Sequence, residues 1–278
     1  MKLTVWGCRG SVPTPGAATV QDGGNTSCVA VSPDEDTLLI LDAGTGIREL
    51  GRQVERLPPD VHVLLTHLHL DHIEGLRFFA PLWREETSLT IWGPPSPVRS
   101  LRDRIKVVLS PPLFPVHLGD VPARLTFRDA PAQMRLGGAK ISSRPVRHPG
   151  PTVGYRVEVD GAVLAYIPDH EPALGFDLDA VTSDWVSGLD LARDADWLFH
   201  DAQYFEEEYS RLAGWGHSSV AHAVSVARHA GAKRLLLFHH DPGHDADDLE
   251  RLEQRARQLV NGNGLRVDLA REGLVLSS

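Results

Sequence analysis

Residues 66–72 have the sequence T-H-L-H-L-D-H, which places four side chains capable of binding a metal within six positions. They directly follow the apolar run 61–65, which predicts a buried strand that ends where the polar side chains begin. His67 and His69 are two residues apart and would point to the same side of a continuing strand, whereas Asp71 and His72 would lie in the following turn. Imidazole and carboxylate ligands together suit zinc, manganese or iron.

The number of these side chains indicates more than one metal ion. A single catalytic zinc usually takes three protein ligands and a water molecule, and this segment alone offers four candidates. We therefore expect two divalent metal ions, with zinc as the first choice and manganese or iron as alternatives. A strand end with hydrogen-bonded histidines is the simpler alternative, but an H-x-H-x-D-H spacing rarely arises by chance.

The H-x-H-x-D-H string resembles the signature of the metallo-β-lactamase superfamily of binuclear hydrolases. Two earlier segments, W-G-C-R-G-S-V-P-T-P-G at 6–16 and G-G-N-T-S-C at 23–28, are similar to the N-terminus of one branch. That branch contains ribonuclease Z-like and cyclic-nucleotide-phosphodiesterase-like enzymes. Taken alone, these loops would be interpreted as surface turns, but their combined spacing is specific. The resemblance covers nearly the whole chain and is weakest over residues 82–134, whose role is left open.

The elements that must position these side chains are strands with a polar residue at or just after their end. Such strands are predicted at 37–41, 163–167, 196–200 and 233–238, and a helix is expected over 73–79 behind the first cluster. The resemblance implies an α/β fold of the αββα type, a four-layer sandwich of two mixed β-sheets face to face, flanked by helices. The strand ends would then lie along one edge. We expect residues 1–278 to form a single hydrolase domain of this fold.

The resemblance also implies a ligand set. The expected ligands are His67, His69 and His148 for the first metal, Asp71, His72 and His239 for the second, and Asp169 as a carboxylate between them. Asp42 is expected to orient a metal-bound histidine through its free ring N–H, although an N-cap role for the next helix is also consistent with its position. His240 remains an alternative to His239 as the last ligand.

Three residues are predicted to be catalytic, namely Asp71, His217 and Asp201. His217 precedes a predicted helix at 220–230, where free N–H groups and the helix dipole favour an anion such as phosphate. The string H-S-S at 217–219 resembles the H-S-T motif of ribonuclease Z-like phosphodiesterases, whose histidine is a proton donor. Asp201 falls where that family has an acidic partner, and would orient and charge the histidine.

These residues predict a binuclear metal-dependent phosphodiesterase. A metal-bridging hydroxide would attack phosphorus, and His217 would donate a proton to the leaving oxygen. The expected substrate is a small phosphodiester, such as a cyclic nucleotide or a similar compact ester. An ester, thioester or lactone hydrolase of the same superfamily is the first alternative, because those enzymes share the cluster at 67–72. A non-catalytic metal-bearing binding protein is the second.

Composition and net charge indicate which binding partners the sequence disfavours. The chain of 278 residues has 42% hydrophobic and 23% charged residues and a formal net charge of −9, which disfavours broad, non-specific binding to nucleic acid. No basic, Gly-rich arm like that of the tRNA-processing enzymes is found, so no large nucleic acid is expected as a partner. A homodimer is implied by the resemblance only.

The two cysteines, Cys8 and Cys28, are too few for a disulfide scaffold and indicate a reducing compartment. No stretch reaches the roughly 18 apolar residues that a membrane-spanning helix needs. We therefore expect a cytoplasmic protein without a membrane partner.

Overall fold

The computed structural model describes residues 1–54, 56–172, 174, 178–180, 186–260, 262 and 264–278. Within these residues the chain forms two mixed sheets of seven strands each. The first sheet contains, in spatial order, β14 (Val275–Ser277), β1 (Lys2–Gly7), β2 (Cys28–Ser32), β3 (Thr37–Leu41), β4 (Asp60–Leu64), β5 (Ser88–Gly93) and β6 (Arg124–Asp129). The second contains β13 (Arg266–Leu269), β12 (Arg234–Phe238), β11 (Trp197–Asp201), β10 (Ala162–Ile167), β9 (Val153–Val159), β8 (Ala139–Pro145) and β7 (Gln133–Leu136).

Helices connect these strands in the described parts of the chain. The α-helices are α1 (Gly46–Gln53), α2 (Leu70–Ile73), α3 (Leu101–Val108), α4 (Leu189–Ala192), α5 (Glu206–Leu212), α6 (Val220–Ala230) and α7 (Ala246–Val260). Short 3₁₀ turns lie at Ala17–Thr19, Leu76–Phe78, Ala80–Trp83, Leu118–Asp120 and Leu178–Ala180.

Apolar side chains from the inner faces of both sheets form a core between them. In β9, Tyr155, Val157 and Val159 are buried, while Arg156 and Glu158 between them are only half-buried. This alternation is expected for a strand that turns one face to a core. The three buried side chains share one apolar cluster with inward-facing residues of β1, β2, β3 and β4.

Helices cover the two outer faces. Ile47 of α1 and Ile105 of α3 pack in an apolar cluster with the outer side of the first sheet. Val224 of α6 and Leu252 of α7 do the same on the second sheet. Burying each such side chain stabilises the fold by about 1.5–3 kcal/mol. The predicted four-layer αββα sandwich is therefore confirmed.

The parallel strands of both sheets end at one edge. Strands β3, β4 and β5 run parallel, as do β10, β11 and β12. Leu41 pairs with Leu64, so the residues that follow β3 and β4 lie side by side. The Tyr166 hydroxyl of β10 donates a hydrogen bond of 3.1 Å to the Asp42 carboxylate after β3. This bond joins the strand ends of one sheet to those of the other.

The continuous helix expected over residues 73–79 is not formed, and this segment contains only the end of α2 and a 3₁₀ turn at Leu76–Phe78. Helix α2 begins at Leu70, before that segment, and includes Asp71 and His72 within its single turn. It stops because the backbone N–H of Gly75 donates to the Ala43 carbonyl at 3.0 Å rather than continuing the helix. Tertiary contact with the end of β3 thus overrides the local preference for a longer helix.

Membrane-spanning helices were sought throughout the described residues. None of the helices there combines the length and the apolar character needed to cross a bilayer.

Candidate metal centre

The structure brings the side chains expected as metal ligands into two groups of four that share one carboxylate. The first group is His67, His69, His148 and Asp169, and the second is Asp71, His72, Asp169 and His239. Within each group the candidate ligand atoms all lie within 4.8 Å of one another. The shared member is Asp169, as expected for a carboxylate placed between two ions.

The first group is built from two loops and a strand end. His67 and His69 follow β4, and their rings are 4.4 Å apart at the centroids, although strand geometry has already ended at Leu64. His148 lies in the loop between β8 and β9, with its Nε2 atom 3.2 Å from His69 Nδ1. The Nε2 atoms of His67 and His148 each lie 3.7 Å from Asp169 Oδ2.

The second group is more tightly packed. His72 Nε2 lies 2.9 Å from Asp169 Oδ1, and His239 Nε2 lies 3.2 Å from Asp169 Oδ2. His239 Nε2 is also 3.2 Å from Asp71 Oδ2. His240 turns away, since its Nε2 donates to the Ala270 carbonyl at 2.8 Å. The structure therefore brings His239 to the cluster and leaves His240 outside it.

Asp42 lies beneath the second group, where the sequence predicted an orienting carboxylate. His72 Nδ1 donates to Asp42 Oδ2 at 2.8 Å, which turns the other ring nitrogen toward the cluster. The backbone N–H of Thr66 donates to Asp42 Oδ1 at 2.7 Å. The α1 helix takes no side-chain cap at its N-terminus, so the alternative N-cap role of Asp42 is wrong.

Several residues that hold the ligands escaped the sequence analysis. Gln203 accepts from His239 Nδ1 at 3.1 Å, and the backbone N–H of Ser11 donates to Asp71 Oδ2 at 2.8 Å. Gly10 packs against the His239 ring so closely that a Cβ there would lie 2.4 Å from Nδ1. Gln203 follows β11 at the same edge as the other site residues, which is a signal that could have identified it.

Electrostatics in the first group favours neutral imidazoles. Burial lowers the pKa of His67 well below its ordinary value, and burial also lowers the pKa of His69 and of His148. A neutral imidazole has a lone pair available, which is the form that binds a metal.

In the second group, electrostatics favours ionised carboxylates and a positively charged neighbour. Burial alone raises the pKa of Asp71 and of Asp169, but His72 and His239 outweigh it and hold both pKa values below the ordinary range. Burial opposes a charge on His72 as well, yet Asp169, Asp71 and Asp42 raise its pKa well above the ordinary value. A divalent cation supplies positive charge of the kind these carboxylates attract.

Two buried atoms test whether a metal fits this cluster. His67 Nε2 makes no hydrogen bond with any residue that the structure describes, and Asp169 Oδ1 has only the His72 Nε2 contact at 2.9 Å, which lacks hydrogen-bond geometry. Buried polar atoms are normally bonded, so each such atom marks a place for a water or an ion. Imidazole nitrogens and carboxylate oxygens are suitable ligands for a divalent ion. The residues present therefore fit divalent metal binding.

His217 and Asp201 form a pair beside the two groups. His217 Nδ1 donates to Asp201 Oδ2 at 2.8 Å, and the His217 ring stacks on His239 with centroids 4.8 Å apart. Asp201 also accepts from the backbone N–H of Ser218 at 3.1 Å, which fixes the segment that carries His217. Burial opposes a charge on His217, but Asp201, followed by Asp169, raises its pKa to about 9.

A cavity of about 430 Å³ gives access to these side chains. Residues around it include Ser11, His69, Asp71, Asp169, His217 and His239. Members of both ligand groups and the His217 ring thus face one space that a substrate can enter.

Comparison with known proteins agrees with this geometry. A family model described as the beta-lactamase superfamily domain matches residues 37–240. Ribonuclease Z of Natronomonas pharaonis is 30% identical, over 94% of this chain and 94% of its own length. Ribonuclease Z of Haloarcula marismortui is 27% identical, over 99% of this chain and 96% of its own length. The metallo-beta-lactamase fold protein YhfI from Bacillus subtilis has a TM-score of 0.72 at 21% identity, covering 100% of this chain and 98% of that one.

These relatives overturn the expected partner. We expected no large nucleic acid as a partner, but this is wrong, because relatives that align with nearly the whole chain are ribonucleases by name. The expectation relied on the formal net charge of −9, which sums over the whole chain. An RNA backbone meets only the surface around one site, where screening limits electrostatics to about 8 Å at physiological ionic strength.

One conclusion follows from the clusters at the strand ends, from the buried ligand atoms that lack hydrogen bonds, and from the family match. The family model spans most of the chain and includes both ligand groups. This chain belongs to the metallo-β-lactamase superfamily of metal-dependent hydrolases, in its ribonuclease Z-like branch.

Proposed function

We propose that this protein is a binuclear metal-dependent phosphodiesterase. One ion would be held by His67, His69 and His148, and the other by Asp71, His72 and His239, with Asp169 shared between them. Support comes from the two four-residue groups with a common carboxylate, a composition that suits a pair of divalent ions better than one. Zinc is our first choice, with manganese or iron as alternatives that the same ligands accept.

Two divalent ions bound there would lower the pKa of a water molecule and neutralise charge on a phosphate. The side chains of this chain then supply position and a proton. The backbone N–H of Ser11 and the ring of His239 contact Asp71 Oδ2 and keep that carboxylate turned toward the cavity. Asp169 is 2% exposed, so its carboxylate is held by its histidine neighbours while it lies at the wall of the cavity.

His217 is our candidate proton donor. Because Nδ1 donates to Asp201, the ring nitrogen Nε2 is left to meet a substrate in the cavity. Nε2–H would donate its proton to the leaving oxygen as the phosphorus–oxygen bond breaks. Asp201 fixes the tautomer and the orientation of the imidazole, the arrangement that general acid catalysis requires.

The observation that carries this proposal is the His217–Asp201 pair next to the shared carboxylate. His217 Nδ1 lies 4.0 Å from Asp169 Oδ2, and both residues line the same cavity, so the candidate acid lies beside the candidate metal ligands. The names of the relatives support cleavage of phosphodiester bonds, and RNA is included among the substrates that we propose to test.

The test is hydrolysis by zinc- or manganese-loaded protein of four substrates: bis(p-nitrophenyl) phosphate, a cyclic nucleotide, an RNA with a 3′ extension and p-nitrophenyl acetate. We expect phosphodiester cleavage, and a fall of about 10²–10⁴-fold for His217→Ala with both ions retained. His117→Ala is the matched control, because His117 is an exposed histidine outside both groups. Cleavage of the acetate but of no phosphodiester would overturn the proposal in favour of an ester or thioester hydrolase.

A further inference from the structure

Glu171 is a buried carboxylate that the proposed chemistry does not use. Its residue is 1% exposed, and its side chain accepts three hydrogen bonds. Tyr209 Oη donates to Oε1 at 2.8 Å, and the backbone N–H of Gly214 donates to the same atom at 2.7 Å. The backbone N–H of Gly216 donates to Oε2 at 2.8 Å. A buried charge is costly unless bonded in this way, so these donors determine what can occupy position 171.

The same residue closes a ring of hydrogen bonds around the site. The backbone N–H of Glu171 donates to the Arg147 carbonyl at 2.9 Å. The next residue, His148, donates from Nδ1 to the Gly216 carbonyl at 2.7 Å. The Gly216 N–H in turn donates to Glu171, which closes the ring of hydrogen bonds. Each of the three segments is therefore held by the other two.

This ring joins three segments that are far apart in sequence. They span residues 147–148, 169–171 and 214–217, and each contributes one side chain to the candidate centre. Those side chains are His148, Asp169 and His217. The ring therefore sets the position of one member of each kind: a ligand of one ion, the shared carboxylate and the proton donor.

Gly216 shows how closely the segments approach. Its φ is +96°, and a Cβ there would lie 2.6 Å from His148 Nδ1. Both the left-handed backbone and the contact require glycine. The Gly216 carbonyl can thus receive the His148 N–H only while the 214–217 segment keeps its present position.

We propose that Glu171 is a positioning residue whose carboxylate holds segment 214–217. In that position the Gly216 carbonyl accepts from His148 Nδ1 and leaves Nε2 facing His69, where it would hold an ion, and His217 remains bonded to Asp201. The inference rests on the proposed metal centre. According to this inference, the side chains of the first ligand group are held in position by a residue that binds neither metal nor substrate.

The chemistry of the acceptors makes the substitution Glu171→Gln informative. A carboxylate offers two acceptor oxygens and no donor, whereas a glutamine amide would place an NH₂ group against one of the peptide N–H groups. The volume is unchanged, but the ring of hydrogen bonds is broken. Partners that orient a metal-bound histidine typically contribute 10- to 100-fold to metal affinity, so we expect a loss of about that size for one ion of the two.

The experiment measures metal binding and His148 rather than turnover. Full-length wild type, Glu171→Gln and Tyr209→Phe are titrated with zinc, and the ions bound per chain are counted. Side-chain ¹⁵N spectra of the metal-free proteins report the His148 Nδ1–H bond. Tyr209→Phe is the matched control, since it removes one donor to Glu171 and leaves the Gly214 and Gly216 contacts. We expect one weakened ion and an altered His148 signal for Glu171→Gln, and wild-type behaviour for the control.

A second variant tests the contact between Gly216 and His148 without changing Glu171. Gly216→Ala leaves the buried carboxylate intact but drives a Cβ into the His148 ring. It should weaken the same ion even if Glu171→Gln fails to fold. Wild-type affinity for two ions with an unchanged His148 signal, in either folded variant, overturns the inference. Loss of one ion without phosphodiester cleavage by the wild type would refute the proposed function and leave this inference standing.

Discussion

The two ligand groups differ in what holds their histidines in place. In the second group, both histidines have their other ring nitrogen bonded to a buried side chain. His72 Nδ1 lies 2.8 Å from Asp42, and His239 Nδ1 lies 3.1 Å from Gln203. Asp42 directly follows β3 of the first sheet, and Gln203 lies two residues after β11 of the second. The histidines of the second group are therefore held by residues that the two sheets position.

The first group depends more on loops. His148 is held by the carbonyl of Gly216, which belongs to a segment outside both sheets, and His69 is exposed. His67 of this group is held at a strand end, since its Nδ1 lies 3.1 Å from the buried Thr66 hydroxyl. The difference between the groups therefore lies in His69 and His148, which depend on loops. We therefore expect the ion in the second group to be bound more tightly.

The largest effect should come from removing the carboxylate common to both groups. Asp169→Ala is expected to lower affinity for both ions by more than about 100-fold, the upper end of what even an indirect partner contributes. Phosphodiester hydrolysis should fall to background. Metal content per chain checks this, with the exposed Asp190→Ala as control. One ion retained at wild-type affinity would show that Asp169 is not shared.

A smaller and unequal effect is expected from Asp42→Asn. Loss of the carboxylate charge should weaken the second ion by about 10- to 100-fold. The first ion should be weakened less, because Asp42 reaches its ligand His67 only through the Thr66 hydroxyl. The pair of Asp60 and His62, 2.9 Å apart and away from the centre, offers the matched control Asp60→Asn. Zinc titration distinguishes the two ions. Equal weakening of both ions would break the contrast between the groups.

Gly10→Ala tests the packing beneath the second group. The added Cβ would lie 2.4 Å from His239 Nδ1, so the ring must move. Overpacking of this kind costs about 1–3 kcal/mol, which we expect as a lower unfolding free energy together with weaker binding of the second ion. Gly119→Ala is the control, because a Cβ there meets no described atom within 4 Å. An unchanged denaturant midpoint and affinity would contradict this account of Gly10.

The smallest expected effect is the order in which the ions leave. During titration with a chelator, the ion of the first group should be released before that of the second. A difference of about tenfold in affinity, or ~1.4 kcal/mol, is the size we expect. Cobalt-substituted protein monitored by its visible spectrum would show two steps. Release of both ions in one step would remove the distinction between loop-held and strand-held ligands.

Much of this architecture was predictable from local sequence. Apolar runs that end near Asp42, Asp169 and His239 indicated strands with polar side chains directly after them, and the two sheets contain strands that end at these positions. The cluster at 67–72 indicated metal chemistry because its spacing is unusual for ordinary strand ends. The length of the helix after His72 was not predictable, since Gly75 bonds to Ala43 rather than to its own helix.

The amino-acid sequence by itself determined which residue types can bind a metal and where strands end, because spacing and apolar periodicity are local properties. Only the tertiary structure distinguishes the positions of His239 and His240: His239, with a positive φ of 61°, lies in the cluster, and His240 bonds to the Ala270 carbonyl outside it. The contacts of Gln203 and of the Glu171 ring likewise form only in three dimensions. Each depends on a hydrogen bond between segments distant in sequence, and such partners exist only after the chain has folded.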